Sequence, residues 1–250
     1  MKYDGILIAS DVDGTLARGT EISKENMEAI RHFTKNGGMF TLSTGRSYRY
    51  VKEHLADKID INAPLIVLNG TQIVRGADDK VLWQGEMTDN FKNLLVRIKE
   101  LAPDVAVHVH TPRGETKGSF NPEDYAEGEY MKIVMVAQDE QTPIRVKEIL
   151  QSEFPEFEMY QSWNVSLEFN SSSAGKGNAI HKLKEMTNAK ITIGVGDYGN
   201  DITLLKEADI GIAVGDAMQE LKETADFVTV PFEEHAIAHI IYNMDKFKKD

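Results

Sequence analysis

The sequence predicts an α/β protein: a doubly wound parallel sheet interrupted by a smaller inserted α/β domain. Three observations carry that expectation. Short apolar runs alternate with amphipathic stretches at both ends of the chain, the pattern of parallel strands joined by right-handed helical crossovers. The outer runs stop at clusters of Asp, Ser, Thr, Asn or Gly. Between about residues 85 and 168 the style changes, and strands flanked by helices continue without those polar strand ends.

Taken in order, residues 4–10 read as a buried strand. Ser23 caps a helix with Met27, Ile30 and Phe33 on one face, stopped by Gly37-Gly38. Met39 to Ser43 forms a second strand, followed by Thr44-Gly45-Arg46 and a helix carrying Val51, Leu55 and Ile59 at spacing four. Leu65 to Leu68 is a third strand, punctuated by Asn69-Gly70, with Thr71–Val74 and Lys80–Trp83 as a hairpin after it. In the insert a helix over Phe91–Leu101 leads to the alternating Val105–His110, then a polar stretch from Thr111 to Glu129. A strand at Tyr130–Ala137, a helix at Thr142–Phe154 and strands around Phe157–Trp163 and Val165–Phe169 complete it. Ser171-Ser172-Ser173-Ala174-Gly175 reads as a small-residue hinge. The first style then resumes: a helix at about 177–186, strands at Ile191–Val195 and Ile210–Val214, a helix near 201–208, a short helix, a strand at Phe227–Val230 and a last helix at Glu233–Met244. The expected division is 1–84 with 169–250 as one domain and 85–168 as the insert.

The chain has 250 residues, 41% of them hydrophobic, enough to bury a sizeable core. Its 28 basic and 40 acidic residues leave a formal charge of −12, which repels nucleic acid and anionic membranes at long range. An anionic substrate must therefore be attracted locally. There is no cysteine, which excludes disulfides and thiolate metal sites and fits a reducing compartment. The N-terminal apolar run is short and ends in aspartates, so it reads as a core strand rather than a signal peptide. No segment reaches the roughly 20 apolar residues that span a bilayer. The expectation is a cytoplasmic protein, monomer or homodimer, with no nucleic-acid or membrane partner.

Four strand ends deliver polar groups where open parallel sheets bind ligands, beyond the carboxyl edge. The first is Asp11-Val12-Asp13-Gly14-Thr15-Leu16, directly after Ile6–Ala9. Two carboxylates at i, i+2 point the same way, and such a pair is unfavourable unless a cation sits between them. It reads as a hard-metal site with a reactive carboxylate; an Asx-type turn is its bland account. The second is Ser43-Thr44-Gly45-Arg46, hydroxyls and a glycine at a helix N-terminus, suited to phosphate oxygens or to plain capping. The third is Lys176 in Gly175-Lys176-Gly177, a cation at a helix start, which opposes the macrodipole and asks for an anion; alone it would pass for a solvated lysine. The fourth is Gly196-Asp197-Tyr198-Gly199-Asn200-Asp201, two more carboxylates that singly could be a loop aspartate and a helix cap. Together and in order the four point to chemistry.

This set resembles the four signature motifs of the haloacid dehalogenase superfamily, and the α/β insert between the second and third motifs resembles the Cof-type subfamily with a C2B cap. The resemblance implies a Rossmannoid core, Asp11 as nucleophile and Asp13 as general acid and base. It implies Thr44 and Lys176 as phosphate-binding groups, with Gly45 and Arg46 beside them, and Asn200 in contact with the phosphoryl group. Asp197 would bind magnesium beside Asp11 and the backbone carbonyl of Asp13, and Asp201 would orient a metal-bound water or Lys176. The chemistry is coherent: Mg²⁺ and Lys176 neutralise the phosphoryl group, Asp11 attacks it, and Asp13 protonates the leaving alkoxide. Crowding by neighbouring acids would help Asp13 begin protonated. An aspartate at position 13 favours a phosphatase over the superfamily's dehalogenases and P-type ATPases.

The expected function is thus a magnesium-dependent hydrolase of small phosphorylated metabolites, sugar phosphates foremost. A phosphomutase of the same fold and a non-catalytic phospho-ligand binding protein are the alternatives. In the insert, His108, His110, Arg113, Lys117 and Trp163 are available to a leaving group, although His108 and His110 alternate with Val107 and Val109 as the wet face of a strand would. Trp83, Phe91 and Trp163 read equally as core or interface.

Overall fold

The computed structural model describes residues 1–85, 90–111, 116–125 and 130–249. Its first elements are β1 (Ile6–Ser10), β2 (Ala17–Arg18), β3 (Glu21–Ile22), α1 (Lys24–Lys35), β4 (Met39–Leu42), α2 (Tyr48–His54), β5 (Leu65–Val67), β6 (Gln72–Arg75) and β7 (Lys80–Gln84). There follow α3 (Phe91–Leu101), β8 (Ala106–His110), β9 (Thr116–Lys117), β10 (Lys132–Val136), α4 (Gln141–Glu153), β11 (Phe157–Tyr160) and β12 (Ser166–Ser171). The last are α5 (Lys176–Thr187), β13 (Ile191–Gly196), α6 (Ile202–Glu207), β14 (Ile210–Ala213), α7 (Gln219–Thr224), β15 (Phe227–Val228) and α8 (Ala236–Tyr242).

Two compact units result, 1–83 with 176–250, and 84–175. The insert runs on to Gly175, past the expected end at residue 168, because β12 continues to Ser171 as a member of the second unit's own sheet.

In the first unit the sheet order is β15-β14-β13-β1-β4, every neighbouring pair parallel. Side chains alternate across it, as the period of two requires. Ile8, Phe40, Leu42, Ile193 and Val195 enter one core with Ile30, Phe33, Ile237, Ile240 and Ile241 of α1 and α8. Leu7 and Ala9 enter the opposite one with Ala179, Ile180, Leu183, Leu204 and Leu221 of α5, α6 and α7. Helices thus cover both faces, which is why these strands are nearly continuous apolar runs. α1 begins where expected, with the Ser23 hydroxyl accepting from the Asn26 N–H at 3.3 Å.

Three local expectations are corrected. The helix after Arg46 ends at His54, not near Ile59; Leu55 leaves helical geometry, yet Leu55 and Ile59 remain buried in the same core from an irregular turn. Burial, not helix, set that spacing. β5 belongs to a separate three-stranded sheet, β5-β6-β7, and meets the main sheet through a single parallel bridge, Ser43 to Ile66. The last helix is shorter than read, because His235 adopts a left-handed φ of 62° directly before α8.

The second unit is an antiparallel sheet, β11-β12-β10-β8-β9. Its core gathers Phe91, Leu94, Leu95 and Ile98 of α3, Val146 and Leu150 of α4, and Val107, Val109, Ile133, Met135, Leu167 and Phe169 of the strands. Phe91 is a core residue, stacked 3.6 Å from the Tyr130 ring. Trp163 is 66% exposed, and Trp83, in the first unit, is partly buried beneath the Lys182 ammonium. No helix among the described residues is long and apolar enough to cross a membrane.

Candidate active site

Adjacent parallel strands end at the same edge, so β1 and β13 bring Asp11 and Asp197 together although they are far apart in the chain. The Asp11 N–H donates to the carbonyl of Val195 at 2.8 Å, extending the strand pairing by one residue into the site. Carboxylate oxygens of Asp11, Asp197 and Asp201 lie within 4.8 Å of one another. Lys176, the first residue of α5, reaches into this cluster fully buried: its Nζ donates to Asp11 Oδ1 and to Asp201 Oδ1, both at 2.6 Å. The reading of Lys176 as a solvated surface residue is therefore excluded.

Electrostatics follow from burial. Desolvation, then repulsion from Asp201 and Asp197, raises the Asp11 carboxyl well above the ordinary range despite the pull of Lys176. Burial and Asp201 likewise push Asp197 up to about 7. Burial alone would depress the Lys176 ammonium, but Asp11 and Asp201 more than reverse it and hold its pKa up. When all are ionised, three carboxylates facing one ammonium leave two uncompensated negative charges, which a divalent cation would neutralise. The donors are hard oxygens, as magnesium prefers.

Not every acid is equally available to a metal. Asp201 Oδ1 is held by Lys176, and its Oδ2 accepts the N–H groups of Asp197 and Tyr198 at 3.1 and 3.2 Å. Its carboxylate caps the turn before α6 rather than α6 itself. Asp197 Oδ1 accepts the Thr15 hydroxyl at 2.8 Å. Gly14 makes this approach possible: its φ is 86°, and a Cβ there would stand 2.4 Å from Asp197 Oδ2.

Asp13 stands apart from the buried cluster. Its charge still adds to the repulsion that raises Asp197. Its half-exposed carboxylate is gripped by Arg46, and Arg46 in turn lies over the ring of Tyr50.

Thr44 is buried after β4, and its Oγ1 accepts the Arg46 N–H at 3.2 Å; the cap of α2 is Ser47, not Thr44. Asn200 donates from Nδ2 to Asn69 Oδ1 at 3.2 Å. The first unit thus gathers Asp11, Asp197, Asp201 and Lys176 as one buried cluster, pairs Asp13 with Arg46, and ties Asn200 to the Thr44 loop through Asn69.

Thr15 and Asn69 were not foreseen. Both read from sequence as turn residues, and their partners lie 182 and 131 residues away. In the second unit His108 is exposed, whereas His110 is half-buried and its imidazole pKa is lowered to about 4 by desolvation and by Lys132. Lys117 lies 5.9 Å from the centre of the Tyr125 ring. Arg113 lies outside the described residues.

A parallel sheet whose strand tips gather aspartates around a buried lysine is the arrangement expected of a hydrolase of the haloacid dehalogenase type. Residues 8–112 and 107–241 match the haloacid dehalogenase-like hydrolases, and the chain belongs to that family, in its Cof-type branch. It is 31% identical over 239 residues to the 5-amino-6-(5-phospho-D-ribitylamino)uracil phosphatase YcsE of Bacillus subtilis, covering 94% of each chain. It is 27% identical to the putative phosphatase YkrA of the same organism, covering 98% of this chain and all of the relative. Among solved structures, the HAD subclass IIB sugar phosphatase BT4131 superposes with a TM-score of 0.79 at 20% identity, covering 96% of this chain and 98% of that one. The protein is a phosphoric monoester hydrolase, and phosphatases of this superfamily use a metal ion.

Proposed function

We propose that the protein is a magnesium-dependent hydrolase of small phosphate monoesters, sugar and polyol phosphates foremost, acting through an aspartyl-phosphate on Asp11. One observation carries this reading: Lys176 bridges Asp11 and Asp201 inside a buried cluster that, ionised, lacks two positive charges. The preference for sugar-like esters draws on the ribityl phosphate named for YcsE and the sugar phosphatase named for BT4131.

Asp11, Asp197 and the Asp13 carbonyl would hold magnesium, which supplies charge neutralisation of the phosphoryl oxygens. Lys176 keeps Asp11 Oδ1 in place and leaves Oδ2 to attack phosphorus. As the Asp11–phosphorus bond forms, the ester P–O bond breaks, and Asp13, which must take up a proton from solvent and loosen its pair with Arg46 before this step, gives that proton to the departing alkoxide. Water then attacks phosphorus, Asp13 takes its proton, and the bond to Asp11 is released. Thr44, the backbone at Gly45 and Asn200 supply donors to the non-bridging oxygens. Arg46 sets the position of Asp13.

The test is inorganic phosphate release from a panel of phosphorylated metabolites and an aryl phosphate. Release should require magnesium, stop on chelation and resume on readdition. Asp11→Asn should lower it by about four orders of magnitude or more with the fold intact, as loss of a covalent nucleophile does. Turnover indifferent to chelator, or retained by Asp11→Asn, would refute the reading. A hexose phosphate consumed without free phosphate would indicate a mutase.

A further inference from the structure

Leu68, Asn69 and Gly70 have positive φ at three successive positions, 51°, 55° and 85°. Left-handed geometry costs a leucine about 1–2 kcal/mol, and such strain persists only where its surroundings impose it. Here the surroundings are the Thr44–Arg46 loop. The Leu68 N–H donates to the Arg46 carbonyl at 3.0 Å and the Asn69 N–H to the Thr44 carbonyl at 2.9 Å. Thr71 closes the turn from the other side, its hydroxyl donating to the Leu68 carbonyl at 2.7 Å.

The Asn69 side chain is fully buried, and its Oδ1 touches two groups at once. It accepts from Asn200 Nδ2 at 3.2 Å. It also lies so close to Gly45 that a Cβ there would stand 2.9 Å away. One amide oxygen therefore joins the loop after β4 to the turn after β13.

The chemical consequence lies in Asn200. A carboxamide has a donor end and an acceptor end of nearly the same shape, and only its hydrogen bonds decide which way it faces. Asn69 Oδ1 accepts only from a donor, so it fixes the Asn200 amide in one of two orientations. A phosphoryl oxygen is itself an acceptor; the fixed orientation offers it N–H, whereas a flipped amide would offer it an oxygen.

We propose that Asn69 is a positioning residue for phosphoryl binding, whose buried amide oxygen orients the Asn200 carboxamide and seats against Gly45, so that Asn200 and the Thr44–Arg46 loop face the phosphoryl group as one unit. This rests on the function proposed above, in which those groups bind phosphate.

The experiment measures the dissociation constant of inorganic phosphate by calorimetry at saturating magnesium. It compares the wild type with Asn69→Gly, Asn200→Ala and the double variant. Glycine keeps the left-handed backbone and removes only the side chain, and the thermal midpoint of each sample confirms folding. Each single substitution should weaken phosphate binding about three- to tenfold, the loss of one oriented hydrogen bond. The double variant should lose less affinity than the product of the two single losses, because both remove the same contact between Asn69 and Asn200. Gly45→Ala gives an independent reading: it should weaken binding by pushing Asn69 away, and lose that effect when residue 69 is glycine. Unchanged affinity in Asn69→Gly, losses that multiply in the double variant, or a Gly45→Ala effect equal in both backgrounds would overturn the proposal alone. A wild type that binds no phosphate would overturn it together with the proposed function.

Discussion

Arg46 grips both carboxylate oxygens of Asp13, with Nε 2.7 Å from Oδ2 and Nη2 2.5 Å from Oδ1. The guanidinium carbon lies 4.1 Å from the centre of the Tyr50 ring, so the arginine is fixed from two sides. An arginine one residue past the Thr44 loop reads as a phosphate contact or as the partner of a neighbouring carboxylate; the geometry pairs it with Asp13, the proposed general acid. A planar fork is what holds a carboxylate in one plane, and an ammonium cannot replace it. Arg46→Lys, which keeps the charge and loses the fork, should therefore lower kcat on an aryl phosphate about tenfold, the scale of a lost orienting contact. Because both partners are partly exposed, the thermal midpoint should hardly move. An unchanged kcat would leave the pair a surface ion pair without a part in the chemistry.

The two aspartates of the last motif should separate cleanly in metal binding. Asp197 has Oδ1 on the Thr15 hydroxyl and keeps Oδ2 toward Gly14, whereas both oxygens of Asp201 are engaged by Lys176 and by backbone N–H groups. Magnesium, binding only the folded state, should raise the wild-type thermal midpoint, by an amount that grows with concentration past the dissociation constant. Asp197→Asn should abolish that rise. Asp201→Asn should lower the starting midpoint, since its single remaining oxygen can serve Lys176 or the two N–H groups but not both, yet retain the magnesium-dependent increase. Scanning calorimetry with and without magnesium distinguishes them; equal loss of the increase in both would make Asp201 a direct ligand.

How far the site was legible depended on whether a residue's role is local. Asp11, Thr44, Lys176 and Asp197 stand at strand or helix ends, and an apolar run followed by Asp, hydroxyl or Gly announces such an end in the sequence itself. The parallel sheet was legible for the same reason. Pairings set by tertiary contact were not. Taken from its own residues Asp201 reads as a loop aspartate or a cap; its contact with Lys176 is one of the two roles the resemblance implied, whereas its hold on the Asp197 and Tyr198 amides is set by the turn alone. Asn69-Gly70 spells an ordinary turn, and nothing in those two letters says that the Asn200 amide meets it. The spacing of Val51, Leu55 and Ile59 imitated a helix because an irregular turn can bury the same side chains.

The second unit carries a half-buried carboxyl whose titration has a definite sign. Desolvation pushes Glu158, on β11, up to about 7 from an ordinary value near 4.5. Between those values the folded protein holds a proton that the unfolded chain has released, so folding loses stability as pH rises from about 4.5 to about 7, and the loss levels off above. A shift of this size, discounted because the side chain is not fully enclosed, corresponds to about 1–2 kcal/mol. His110 runs the other way: with its folded value near 4, stability falls as pH drops from about 6.5 to 4. The two slopes oppose each other in the wild type, so the comparison has to be made between variants. Glu158→Gln, which removes the charge and keeps the shape, should gain about 1–2 kcal/mol at pH 8 and nothing at pH 4. Urea unfolding followed by circular dichroism at the two pH values reads this directly. A gain of equal size at both would put the effect in packing rather than in charge.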